Sequence, residues 1–495
     1  MNGRLHPDRA LLACSVTLLL GGCISPAGID TKARLVDPAR LATGTVAAAP
    51  ELSAAAWPAT DWWRALGDPQ LDALIAEAQA GNPGIGQAQA RLDAASAAVT
   101  LAGARLGLAN EIDAGVTRQR FTRFGTSVNF AGRSFTQYDL AAAFGFQPDF
   151  WERNRSALAG ELGRRKAAEA ESQAVRLLLA ASVAAAYARL GSELEQQSLL
   201  RAALQHQQAL VGHLQARQEA GFDTAGEWQL AQAVLPELQA RIAILEQDSA
   251  LSRNQLAALL GQGPERGRRI APPRLAPLTV GVPEVLPADL LGQRADIVAS
   301  RWRVEAAGHD VASARAGFYP NINIAAYVGL QSIGLGNLLR SGSQVFGLAP
   351  AVSLPIFGGS TLKGTLAARN AGYDLAVEQY NQQVIEALRQ VADQVEILRG
   401  LQRQLSEASA SLAREEQARQ LAAARFEGGL DNRLALLSLE ARIETRRLQM
   451  AQLRGRLREA GIQLVVALGG GYAPADTAPA SAATTGTSAT SGDAS

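Results

Sequence analysis

The chain has 495 residues, and its 47 Lys and Arg against 46 Asp and Glu leave a formal net charge of +1. That balance excludes the basic footprint of a nucleic-acid binder and any polybasic tail. Aromatics are 5% and charged residues 19%, and Ala, Leu, Gln, Arg and Glu fill the middle of the chain, as in proteins built of long helices.

At the N-terminus, Arg4 and Arg9 precede an apolar run from Ala10 to Leu20. That run is too short to span a bilayer, which takes ~20 residues. Leu20-Gly21-Gly22-Cys23 then has the form of a bacterial lipobox. Residues 1–22 are therefore predicted to be a lipoprotein signal peptide, and Cys23 is the lipidation site, carrying S-diacylglycerol and an N-acyl chain. The alternative is an ordinary signal peptide that happens to contain a cysteine. Ile24 stands where an aspartate would favour inner-membrane retention, so outer-membrane delivery is expected. Cys14 leaves with the signal, so the mature chain keeps only the blocked Cys23 and forms no internal disulfide. More than one acyl chain makes a stable anchor, since a single chain binds only marginally.

Residues 23–56 are rich in Ala, Thr and Pro and read as an extended, lipidated tether. Trp57, Trp62 and Trp63 open a first unit over 57–262. Asp68-Pro69 reads as an N-cap with Pro at the first helical position and starts a short helix to about Gln79. Asn82-Pro83 repeats that signal for a helix over about 82–108. The period then shifts to alternation, predicting strands at about 111–123 and 135–147 around a loop with Gly125, Asn129, Gly132 and Ser134. Asp149 with Glu152 resembles a capping box for a helix over about 150–220, some 100 Å long at 1.5 Å per residue. A reversal at Gly221 leads to a helix over about 226–261. Val234, Leu238, Ile242 and Leu245 mark its apolar stripe, and Pro236 is expected to kink it.

Residues 263–293 are Pro-rich and read as a linker. A second unit over 294–470 replays the plan. Helices are predicted at about 295–316, 360–427 and 433–468, with strands at about 321–330 and 345–357. Ser360 is the expected cap of the long helix, and Gly428-Gly429 is its reversal. Residues 471–495 are Ala, Thr, Ser and Gly, a composition expected to be disordered.

The halves also match residue by residue. Gln215-Ala216-Arg217-Gln218-Glu219-Ala220-Gly221-Phe222-Asp223 returns at a constant offset as Ala423-Ala424-Arg425-Phe426-Glu427-Gly428-Gly429-Leu430-Asp431. Leu260-Gly261 returns as Leu468-Gly469. Ile85, Arg91, Ala94, Ala95 and Val99 return as Ile297, Arg303, Ala306, Ala307 and Val311. One long supersecondary unit is used twice.

Strands of about ten residues suit a membrane, where transmembrane β-strands need ~9–11. Four strands cannot sit in lipid as an open sheet, because every backbone amide there must be paired. Copies must therefore join. Two give ~8 strands with a filled interior, and three give ~12 with room for water. The competing interpretation takes the alternating stretches as surface hairpins on a soluble coiled-coil protein.

The chain resembles the TolC-like outer-membrane efflux proteins, specifically their lipoprotein branch (nodulation-type outer membrane factors). The residues that carry the likeness are Trp62-Trp63 with Gly67-Asp68-Pro69-Gln70-Leu71, Asn82-Pro83 with Ala90-Arg91-Leu92, and Leu286-Pro287-Ala288-Asp289 with Arg294-Ala295-Asp296-Ile297. Gly317-Phe318-Tyr319-Pro320, Leu354-Pro355-Ile356-Phe357-Gly358-Gly359 and Ala424-Arg425-Phe426 with Gly429 extend it over about 56–470. The resemblance implies a homotrimer with a 12-stranded β-barrel, four strands per chain, continued by a periplasmic α-helical barrel. It also implies a passive outer-membrane duct that takes drugs or other small molecules from a periplasmic adaptor and an inner-membrane pump. The reversals would be the closed periplasmic tips, with Arg217, Gly221, Arg425 and Gly429 contacting the adaptor. Family members carry acidic residues past the second tip where this chain has Ala435 and Ser438, so the candidate gate falls to Asp431 and Arg433. Asp431 serves equally well as a plain helix cap.

No catalytic constellation, metal motif or phosphate-binding loop is expected, and no cofactor beyond the lipid on Cys23. His206 and His213 share a helical face without a ligand partner at metal spacing. The competing functions are a structural lipoprotein that tethers the envelope without a lumen, and an exit port for protein secretion.

Overall fold

The structure, a computed structural model, describes residues 25–37, 41, 57–124, 131–222, 224–278, 281, 290–355, 358–431 and 433–473. The signal peptide, Cys23, most of the tether, Gly125, Asn129, Asp223, Leu286–Asp289, Ile356-Phe357 and nearly all of the tail lie outside them.

Helix α1 (Pro69–Gly81) and α2 (Pro83–Ala104) are followed by β1 (Ala109–Arg120), β2 (Ser134–Phe146), α3 (Arg153–Glu219) and α4 (Ala225–Leu259). Two short helices come next, α5 (Pro264–Arg268) and α6 (Leu290–Gln293), then α7 (Ala295–Ala316), β3 (Asn321–Ile333), β4 (Gln344–Ser353), α8 (Gly359–Glu427) and α9 (Arg433–Ala467). Each half thus has a 22-residue helix, two strands, a helix of 67 or 69 residues and a helix of 35. The described residues divide into two compact units, called the first and second unit below, that cut across the two halves of the sequence. The first holds residues 1–36, 87–169 and 299–383, and the second 37–86, 170–298 and 384–495.

The first unit contains the sheet, four antiparallel strands in the order β1-β2-β3-β4. Strand ends follow their partners rather than the alternation. β4 stops at Ser353, four residues short of the expected end, because β3 begins at its partner Asn321. β3 runs on to Ile333 because β2 still offers Gln137 there. Beside the sheet, Val311, Phe318 and Leu366 are buried together, with Leu362 and Tyr373 against them. Helix α3 approaches α7 closely at Gly163, where a Cβ would press on Ala306 and the Trp302 carbonyl. Arg164 then bridges Glu161 (2.8 Å) and Asp310 (3.0 Å).

The start of α3 differs from a capping box. Asp149 accepts from the Asn154 and Arg155 N–H groups at 3.1 and 2.7 Å, while Glu152 sits at φ 56° immediately before the helix. The carboxylate therefore reaches in from a loop rather than from the N-cap position, and Trp151 stacked on Tyr319 at 4.7 Å holds that loop. Helix α8 likewise starts at Gly359, which puts Ser360 inside the first turn instead of at the cap. Helix α4 runs through Pro236.

The second unit has the larger core. Leu66, Leu71, Leu74 and Ile75 pack with Val183, Tyr187 and Leu190 of α3, and with Leu256, Leu260 and Ile462. Spacings of three, four and seven along α3 put those side chains on one face, and each fully buried large side chain contributes roughly 1.5–3 kcal/mol. Farther along, Leu238, Ile242 and Leu245 of α4 meet Leu200 and Leu448, so the stripe read from the sequence is a three-helix seam. The described part of the linker is fastened to the start of α1. Arg274 N–H donates to Asp68 Oδ2 at 2.8 Å and Ala276 N–H to the Leu66 carbonyl at 2.9 Å. Gln70 exchanges hydrogen bonds with the Ala271 backbone, and Tyr187 Oη donates to Asp68 at 2.7 Å. The Asp68-Pro69-Gln70 motif thus caps α1 and fastens the linker at once.

Candidate functional site

The sheet has two chemically distinct faces. Even-numbered residues line up across the register, as in Ile112↔Ala142↔Val328↔Phe346 and Asn110↔Phe144↔Ala326↔Leu348. That face is predominantly apolar from Ile322↔Val352 to Val116↔Tyr138, with Asn110, Gln344 and Ser332 at its margins. Two residues per row at ~3.4 Å each, with strands tilted ~40°, make the band roughly 25 Å tall, the height of the lipid-facing belt of a membrane barrel. Odd-numbered residues make the other face. It carries Glu111, Asp113, Gln137, Asp139, Asn321, Asn323 and Gln331 among small residues, and Gln331 donates to Asp139 at 2.6 Å. Tyr327 lies across Gly347, where any Cβ would strike its ring. Among the described residues, no strand lies beside the outer edges of β1 and β4.

The two helix reversals lie in the second unit and share one geometry. Phe222 N–H donates to the Arg217 carbonyl at 2.9 Å and Gly221 N–H to Gln218 at 3.0 Å. At the other reversal, Leu430 N–H donates to Arg425 at 2.8 Å and Gly429 N–H to Phe426 at 3.0 Å. Both are Schellman motifs, which need a left-handed residue, and Gly221 and Gly429 supply it at φ 79° and 69°. Open space surrounds both glycines, so conformation alone requires them. Phe222, Leu230, Leu421 and Leu430 are large apolar side chains exposed around these turns. Arg217 lies over the Phe222 ring at 6.0 Å. Arg425 Nε pairs with Asp431 Oδ2 at 3.2 Å, which ties the candidate gate residue to its own turn. Arg433, the first residue of α9, is exposed.

Sequence reasoning missed the docking of residues 25–37. Residues 29–36 of this segment lie along α8 within the first unit. Asn370 Nδ2 donates to the Ile29 carbonyl at 2.8 Å, and Asp374 accepts from the Lys32 and Ala33 N–H groups. Asn381 accepts from Val36 N–H at 2.8 Å and donates to the Arg34 carbonyl at 2.9 Å. Ile29 packs against the cluster around Phe318. The signal was present as three short polar residues along one helix, but nothing local names their partner. The sequence also gave no sign that His206 Nδ1 faces Glu440 Oε2 at 3.9 Å. Among the described residues no three His, Cys, Asp or Glu groups gather as a metal site would require.

A sheet with a bilayer-height apolar belt, joined to long paired helices, defines a membrane channel component. Residues 74–262 and 286–470 match the family model described as outer membrane efflux protein. The chain is 29% identical to the multidrug resistance outer membrane protein MdtP of Escherichia coli over 474 residues, 93% of this chain and 96% of that one. It is 33% identical to the fusaric acid resistance protein FusA of Burkholderia cepacia over 375 residues, 73% of this chain and 69% of that one. The solved outer membrane protein VceC of Vibrio cholerae superposes with a TM-score of 0.77 at 35% identity, covering 84% of this chain and all of that one. The chain belongs to the outer membrane efflux protein family, and it is an efflux channel of the outer membrane.

Proposed function

We propose that three copies of this chain close into one 12-stranded barrel, four strands from each, continued by a helical barrel in the periplasm and built from two repeats. The observation that carries this reading is the pair of open edges on a sheet with an apolar belt. In lipid an unpaired edge leaves several amides unsatisfied at several kcal/mol each. Since β1 and β4 run antiparallel, the β4 edge of one copy suits the β1 edge of the next.

The duct is passive and receives its cargo from a periplasmic adaptor and an inner-membrane pump. The adaptor meets the reversals at Arg217, Gly221, Arg425 and Gly429, where exposed apolar residues favour protein contact. The Arg425–Asp431 pair, with Arg433 beside it, holds the closed end. The cargo is drugs or other small molecules, in keeping with the names of MdtP and FusA. Cys23 carries the lipid of the lipoprotein branch. Residues 25–37 fasten the chain that follows it to the helices next to the sheet, which keeps the anchor near the membrane.

Single-channel recording in planar bilayers tests this. The full-length chain should conduct, and Arg425→Ala with Asp431→Ala should raise the open probability. A folded oligomer that stays silent in both forms would leave only a tether.

A further inference from the structure

The strand ends distant from the helices carry an uncompensated positive charge. Arg118 and Arg120 close β1, Arg123 and Arg133 flank its turn, and Arg340 lies in the β3–β4 turn. There is no Asp or Glu between Asp113 and Asp139, or between Asp310 and Asp374. The acids of the sheet, Glu111, Asp113 and Asp139, all lie on the odd, polar face. Arg118 and Arg120 lie on the even face, in the two rows directly beyond the apolar belt, paired with Thr136 and Ser134. The distal turns also expose large apolar side chains, Phe124 at 98% and Leu339 at 86%.

We propose that Arg118 and Arg120 bind the phosphates of a phosphorylated glycolipid in the outer leaflet. The inference rests on the barrel reading above, which turns the even face to lipid and the distal turns to the outside. A guanidinium one row beyond a hydrocarbon belt lies at headgroup depth, where long basic side chains reach the interface. Arginine holds phosphate through two parallel N–H···O bonds. Two arginines on one strand face stand about 7 Å apart. Two long side chains offer two phosphate sites, which a headgroup with two phosphates on a sugar scaffold fills and a phospholipid with one does not. The apolar belt below them suits its acyl chains. No acid competes.

Full-length protein in a neutral detergent would be titrated with fluorescent lipid A bearing both phosphates, with its dephosphorylated form, and with phosphatidylglycerol. The bisphosphorylated lipid should bind at least ~10-fold tighter than either of the others, as expected for charge-assisted contacts. Arg118→Gln/Arg120→Gln should lose about that factor, while wild-type binding should weaken as salt rises. Equal binding of the dephosphorylated lipid, or unchanged binding by the double variant, would overturn the proposal. Equal binding of phosphatidylglycerol would overturn the glycolipid as the source. Sheet content by infrared and single-channel conductance, measured on the same samples, report separately on the barrel. A chain that conducts but fails the lipid tests sinks only this inference.

Discussion

Asn82 and Arg294 do the same mechanical work in the two halves with different chemistry. Asn82 Nδ2 donates to the carbonyl of Leu259, the last residue of α4, at 2.8 Å. Arg294 Nη1 donates to the carbonyl of Ala467, the last residue of α9, at 2.9 Å. Beside each lies a left-handed glycine, Gly261 at φ 71° and Gly469 at φ 103°. A Cβ on either would strike a backbone carbonyl, of Gly81 or Gln293 respectively. Each contact ties the C-terminal end of a 35-residue helix to the start of a 22-residue one.

The two residues should differ in what their loss costs. Arg294 is only 10% exposed and also holds Asp296 at 2.7 Å and Gln390 at 3.0 Å. Arg294→Ala should therefore destabilise by about 2–3 kcal/mol, and Asn82→Ala by about 1 kcal/mol. The temperature at which helical circular dichroism is lost should fall in that order.

The left-handed glycines at the two reversals and at the two helix junctions divide by surroundings. Gly221→Ala and Gly429→Ala meet only the conformational cost, about 1 kcal/mol each. Gly261→Ala and Gly469→Ala add a collision with backbone and should cost more. Thermal unfolding of the four single variants tests the ranking.

Acid should loosen the linker. Burial pushes the Asp68 carboxyl up, but hydrogen bonds from the Arg274 N–H, the Tyr187 hydroxyl and the Gln70 N–H outweigh it and hold the group below its usual range. A depressed carboxyl contributes stability that is present above its unfolded value near ~3.9 and is lost as pH falls through the folded value. Wild-type melting temperature should therefore drop as pH falls below about 4. Asp68→Asn should melt lower at neutral pH and show a smaller acid step.

Neighbouring alanines on β2 test the faces of the sheet. Ala142 belongs to the apolar row with Ile112 and Val328, and Ala143 to the polar row with Glu111 and Tyr327. Ala142→Arg places a charge in lipid at a cost of about 2–4 kcal/mol. Ala143→Arg should assemble and shift ion selectivity toward anions. Oligomer yield on native gels and reversal potentials in bilayers separate the two.

Much of the plan was legible because it is written in local chemistry. Asp68-Pro69 and Asn82-Pro83 are caps, and Asp68 Oδ1 accepts from Gln70 N–H and Asn82 Oδ1 from Gly84 N–H. Alternation marked β1 and β2, the replay of the plan in the second half marked β3 and β4, and the repeated glycines marked the reversals. What the sequence hid is non-local. The ends of β3 and β4 depend on their partners, which no window of one strand contains. Residues 25–37 look like a plain tether until Asn370, Asp374 and Asn381 are seen to accept and donate along them. The Pro-rich linker reads as loose because its partners, Leu66 and Asp68, lie some two hundred residues earlier.

Everything depends on the β1 edge of one copy meeting the β4 edge of another. A cysteine at Ala114, with single cysteines scanned through residues 345–352 in the full-length chain, tests this by disulfide cross-linking in outer membranes. Some pairings should link separate chains into a ladder that ends at three. A scan that yields no inter-chain product, from protein inserted in the membrane with its sheet intact, would contradict it.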